Sequence, residues 1–130
     1  MSETSHIYHL VEKNLWKIAV DNDQPYYPTA YEQDGFIHCT AEKEKLLDIA
    51  NFFYTGVSGD FLVLELELSK IEAEVKFERA MPVGDQAPPE QAEGEPLFPH
   101  LYGPILKEYV TKELAVERNQ DGQFLSFQYC

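Results

Sequence analysis

Four histidines occur in the chain, and three of them sit in apolar company. His9 lies in Ile7-Tyr8-His9-Leu10-Val11, His38 in Gly35-Phe36-Ile37-His38-Cys39-Thr40, and His100 in Phe98-Pro99-His100-Leu101-Tyr102-Gly103-Pro104. An imidazole inside an apolar strand needs a polar partner, since an unsatisfied buried group costs about 1–3 kcal/mol. Three such sites in a small chain point to one shared polar pocket, with His9, His38 and His100 as candidate catalytic groups. Their separations match no compact zinc motif. A metal-dependent hydrolase built on the three is therefore the weakest of the readings considered. Cys39 stands beside His38, but neighbours on a strand face opposite ways, so no nucleophile–base pair is expected there.

Other residues could hold a ligand. Asp21 to Asp34 contains Pro25 and Pro28 together with Tyr26, Tyr27 and Tyr31. Prolines make this a loop, with a short helical turn near residues 29–33. Its tyrosines can stack on a flat ring or cover the core edge. Thr40 shares a strand face with Phe36 and His38, and it is also placed to cap the helix that follows. Tyr8 and Tyr102 flank His9 and His100. Arg79 is one of two arginines in an acidic chain, and its planar fork suits a phosphate or carboxylate. Glu78 points to the other strand face, so Arg79 and Glu78 should not serve one pocket.

The elements that position these groups follow from periodicity. Residues 7–11 alternate as a strand. Leu15, Trp16, Ala19 and Val20 make one helical stripe over 12–20. Gly35 opens a central strand over 35–40, followed by a helix over 41–54 with Leu46, Ile49 or Ala50, and Phe53 inward. Leu62, Leu64, Leu66 and Leu68 mark the clearest strand, over 60–68. A further strand is expected where Val75, Phe77 and Arg79 alternate with charge. Residues 81–96 are rich in proline and carboxylates and read as a flexible loop. Pro99 and Pro104 argue against a central strand over 97–104. Strands at 113–116 and 124–129 flank an Asn119–Gly122 turn. Early helices and late strands imply an α+β fold, with two N-terminal helices on a curved antiparallel sheet. No glycine-rich phosphate loop follows a strand.

Length and composition set the outer limits. With 130 residues and 44% hydrophobic content, the chain is expected to form a single domain, 1–130, with one sizeable core. Its net charge of −13 argues against nucleic acid and against anionic membrane as partners. Two cysteines and a polar start without an apolar run fit a cytoplasmic protein.

Taken together, Tyr8-His9-Leu10, Gly35-Phe36-Ile37-His38-Cys39-Thr40, Ala50-Asn51-Phe52-Phe53-Tyr54, the leucine strand, Phe77-Glu78 and Phe98-Pro99-His100-Leu101-Tyr102-Gly103-Pro104 resemble the bacterial "domain of unknown function 952" family, over about residues 6 to 116. That family's fold is similar to the ADP-ribosyltransferases, especially the RNA 2′-phosphotransferase branch, and so implies a curved, split antiparallel sheet. By this resemblance His9 and His38 would be the paired histidines of an NAD-binding cleft, with NAD as cofactor. A glutamate matching that of many transferases is not evident. The resemblance thus implies a small-molecule, nucleotide-like ligand and group transfer. Its counterpart is a non-catalytic binding or accessory domain on the same scaffold.

Overall fold

The computed structural model describes residues 5–79, 81–83 and 97–128. Most of the expected 81–96 loop, from residue 84 onward, therefore lies outside the described residues.

The fold is α+β, with an antiparallel sheet split into two parts. Among the described residues there are seven strands: β1 (His6–Glu12), β2 (Ile37–His38), β3 (Phe61–Glu67), β4 (Glu74–Glu78), β5 (Phe98–Tyr102), β6 (Val110–Arg118) and β7 (Phe124–Gln128). One part has the order β1-β3-β6-β7 and the other β2-β5-β4. Backbone bonds between Tyr8 and Thr40, 2.8 Å in both directions, join them. The strands are accompanied, among the described residues, by three α-helices: α1 (Lys13–Asp21), the single turn α2 (Tyr31–Asp34) and α3 (Leu46–Phe53).

Strand alternation explains why the core has two halves. Ile7 and Val11 of β1, with Leu64 and Leu66 of β3, face a cluster shared with Ile37, Leu101 and Trp16. Leu10, Val63 and Phe61 face the other way, onto Leu46 and Ala50 of α3 and onto Leu114 and Phe124. The central stretches of β1 and β3 are thus buried on both faces, and each fully buried leucine stabilises the fold by about 1.5–3 kcal/mol. Trp16 of α1 is buried, and its Nε1–H donates to Glu113 Oε2 at 2.7 Å.

Two sequence expectations are corrected. Pro99 sits inside β5, the central strand of the three-stranded part. Its carbonyl accepts from Cys39 N–H at 3.1 Å. In an antiparallel strand the N and C=O of one residue point the same way, so the missing donor faces the side where the two-residue β2 has already ended. The helix expected over 41–54 starts only at Leu46, after a 3-10 turn at Lys43–Lys45, and Thr40 does not cap it. Thr40 is instead bonded through its backbone to Tyr8.

Candidate active site

β1 meets the second sheet at Tyr8–Thr40, and His9, the next residue, turns the opposite way, into the gap between the sheets. His9 is buried, and its Nδ1 lies 2.7 Å from the carbonyl oxygen of His38. A carbonyl can only accept, so Nδ1 carries the proton and Nε2 is a bare lone pair. Nε2 is buried and has no protein partner. Burial pulls the His9 pKa down to about 4, outweighing the carbonyl bond, and the ring is neutral at pH 7.

His38 is held differently. Gly35, at φ +83°, ends α2 in the left-handed conformation that glycine adopts without strain. The chain doubles back there and brings Asp34 Oδ2 to 3.0 Å from His38 Nε2. The carboxylate accepts, so this proton is on Nε2 and Nδ1 is the lone pair. Burial lowers the His38 pKa; Asp34 works against that shift and His100 adds to it.

His100 is fixed by a third acceptor. Its Nδ1 donates to Glu78 Oε1 at 2.9 Å, and the Tyr102 hydroxyl donates to the same oxygen at 2.5 Å. These two bonds hold the Glu78 carboxyl below its ordinary range, and the bond to Glu78 raises the Tyr102 phenol to about 12. Burial lowers His100 despite Glu78. Phe36 stacks on the His100 ring at 4.2 Å, and the His38 and His100 rings meet edge-on at 5.5 Å.

Two small cavities adjoin at these histidines. One, of about 70 Å³, is lined by His9, His38, Thr40 and His100 with Leu46, Phe53 and Tyr54. The other, of about 110 Å³, is lined by His9, His38, Tyr26, Tyr31, Asp34 and Tyr54. Among the described residues, neither has a lysine or arginine in its wall. Tyr54 belongs to both, and burial, with Asp34 and Glu12 nearby, pushes its phenol to about 12.

The cleft therefore gathers His9, His38, His100, Thr40, Tyr26 and Tyr31. Tyr26 is largely core, packed edge-on against Trp16 at 5.8 Å. Tyr102 joins through Glu78. Tyr8 turns to the opposite face, where its hydroxyl is 3.4 Å from Glu65. Tyr27 is exposed and lines a separate surface groove with Leu15 and Ile18. Arg79 is exposed and lines neither cavity, whereas Glu78, on the other strand face, supports His100. Asp34, Phe36 and Tyr54 also belong to the site. Cys39 lines the first cavity as a buried free thiol, raised by burial and so unsuited to act as a thiolate. Among the described residues, no group of three His, Cys, Asp or Glu side chains is arranged to hold a metal.

Comparison with known proteins gives fold and family. The model of a family described as "Protein of unknown function (DUF952)" matches residues 10–113. The crystal structure of protein CC0527 from Caulobacter crescentus is similar at a TM-score of 0.69 and 24% identity, covering 93% of this chain and 94% of that one. Its solution NMR structure is similar at 0.63 and 25% identity, covering 90% and 89%. No curated protein matches the chain.

Proposed function

Because the chain belongs to the DUF952 family of proteins of unknown function, its chemistry has to be read from its own cleft, and we propose that this cleft binds NAD or an ADP-ribose-like nucleotide on an ADP-ribosyltransferase-like scaffold. The observation that carries the reading is His9 Nε2: a buried acceptor with no protein partner, on a residue shared by both cavities. Such an atom calls for a ligand that brings an O–H or N–H, and a ribose hydroxyl is a donor of the right size. Tyr31 in the second cavity offers a ring on which a flat base can pack.

The wall charges favour the same end of the ligand. Asp34 and Glu12 border the second cavity and, among the described residues, no lysine or arginine does, so a cationic nicotinamide-ribose end fits better inside than a phosphate. Those carboxylates would also stabilise positive charge on the ribose carbon as nicotinamide departs, in a group transfer to a small acceptor. One observation favours the non-catalytic alternative. Glu78, the carboxylate nearest His100, is already engaged by His100 and Tyr102.

Thermal shift with NAD, ADP-ribose and nicotinamide tests the reading. A ligand at 100 times its Kd stabilises the fold by about 2.7 kcal/mol. Absence of any shift, with no heat of binding at millimolar nucleotide, would overturn it. Release of nicotinamide from bound NAD marks a transferase or hydrolase, and binding without release marks an accessory module. His9→Phe, which removes the buried acceptor, should weaken NAD binding by about 1–3 kcal/mol.

A further inference from the structure

We infer that Asp34 and His38 form a carboxylate–imidazole dyad whose Nδ1 takes a proton from an O–H or N–H group of a molecule seated in the cleft. The arrangement has the parts a general base requires: an imidazole with one nitrogen held by an acceptor and the other available. Asp34 Oδ2 holds Nε2–H at 3.0 Å, which leaves Nδ1 as the lone-pair nitrogen of the neutral ring. His38 lines both cavities. Asp34 is the positioning residue, with a side chain only 5% exposed, so its charge acts on the ring with little screening by water.

Comparison with the other two histidines singles out His38. His9 donates to a neutral carbonyl, which cannot balance an imidazolium, and burial makes it too weak a base. His100 has its own carboxylate but is 1% exposed and lies beneath Phe36, whereas the His38 side chain is 23% exposed. Among the described residues, the groups facing His38 include Asp34 and Tyr31 from α2, His9 and Glu12 from β1, His100 from β5 with Glu78 behind it, and Tyr54 just after α3. Among the described residues, only Asp34 gives it a direct charged bond.

The step balances without a further reactant. A hydroxyl or amine gives its proton to Nδ1, and its freed electron pair forms the bond to the electrophilic carbon. The leaving group departs with the pair of the bond it breaks. The imidazolium, held by Asp34, later returns the proton to water. In the nucleotide reading, on which this detail alone rests, the carbon is the ribose C1′ and nicotinamide leaves.

Long-range 1H–15N NMR of the whole chain reads the dyad directly. His38 should be the Nε2–H tautomer, and Asp34→Asn should lower its titration midpoint by about one unit. Diethyl pyrocarbonate at pH 7, mapped by mass spectrometry, should modify His38 well before His9 and His100. An Nδ1–H tautomer, or a His38 that the reagent does not reach, overturns the dyad in the unsubstituted protein, whatever Asp34→Asn does to folding. A midpoint unmoved in a folded Asp34→Asn overturns it as well. Failure of NAD to bind while His38 remains reactive removes the nucleotide and leaves the dyad standing.

Discussion

At the scale of the residue, each cleft histidine owes its tautomer to one acceptor, and burial lowers the pKa of all three. The consequence for stability has a definite sign. His9 titrates near 6.5 when unfolded and near 4 when folded, so between these values the unfolded chain binds more protons. Its contribution is complete above about pH 6.5 and is lost as pH falls toward 4, to the extent of roughly 3 kcal/mol. His38 and His100 act in the same direction. Urea midpoints between pH 7 and pH 4.5 should fall steeply for the unsubstituted protein and less steeply for His9→Gln; equal slopes would show that His9 is not buried and neutral. The three histidines were legible in the sequence because a polar ring inside an apolar strand is a local signal. Their carboxylates were not. Asp34 precedes His38 by four residues, which in an extended chain would put them about 13 Å apart, and only the Gly35 turn folds one back on the other. Glu78 meets His100 through the β4–β5 register, in which His100 pairs with Lys76, and no local pattern sets that register.

At the scale of the element, the hairpin of β6 and β7 is locked by Arg118. Its guanidinium donates to the carbonyls of Gly59 at 2.7 Å and Gly122 at 3.1 Å and packs over the Phe124 ring at 4.3 Å. Lysine cannot reproduce a planar fork on several acceptors, so Arg118→Lys should lower stability by about 1–2 kcal/mol in urea unfolding. Gly122 is more restricted. It has φ +88°, and an added Cβ would collide with the Thr55 carbonyl oxygen. Gly122→Ala should therefore cost about 2–3 kcal/mol, and a loss below half of that would show that the turn relaxes. The Asn119–Gly122 turn, β3 and both longer helices could be read locally from turn residues and periodicity. Pro99 misled because the rule against proline in a central strand assumes full-length neighbours, and β2 has only two residues.

At the scale of the whole molecule, the net charge carries a prediction about nucleic acid as a partner. With a net charge of −13, the protein has few cations to displace counterions from a phosphate backbone. Fluorescence anisotropy should show no binding of generic RNA at physiological salt; micromolar affinity that weakens steeply with salt would contradict this. Self-repulsion of the same charge should make the fold more stable in 0.5 M sodium chloride than in dilute buffer at pH 7, as a higher melting temperature. Among the described residues, no helix is long and apolar enough to cross a membrane. The α+β class was legible from the order of helices and strands. The strand order β1-β3-β6-β7 was not, because each pairing joins residues far apart in the chain.

The three acceptors differ in how they are inherited. A single codon change can strip His38 or His100 of the carboxylate that orients it. No codon change can strip His9 in that way, because its partner is the main-chain oxygen at position 38, which every amino acid supplies. Across diverging descendants of this chain, the orientation of His9 should therefore persist after the other two have drifted. If the Asp34–His38 dyad moves a proton as proposed, a lineage that abandoned that step would show it first at position 34.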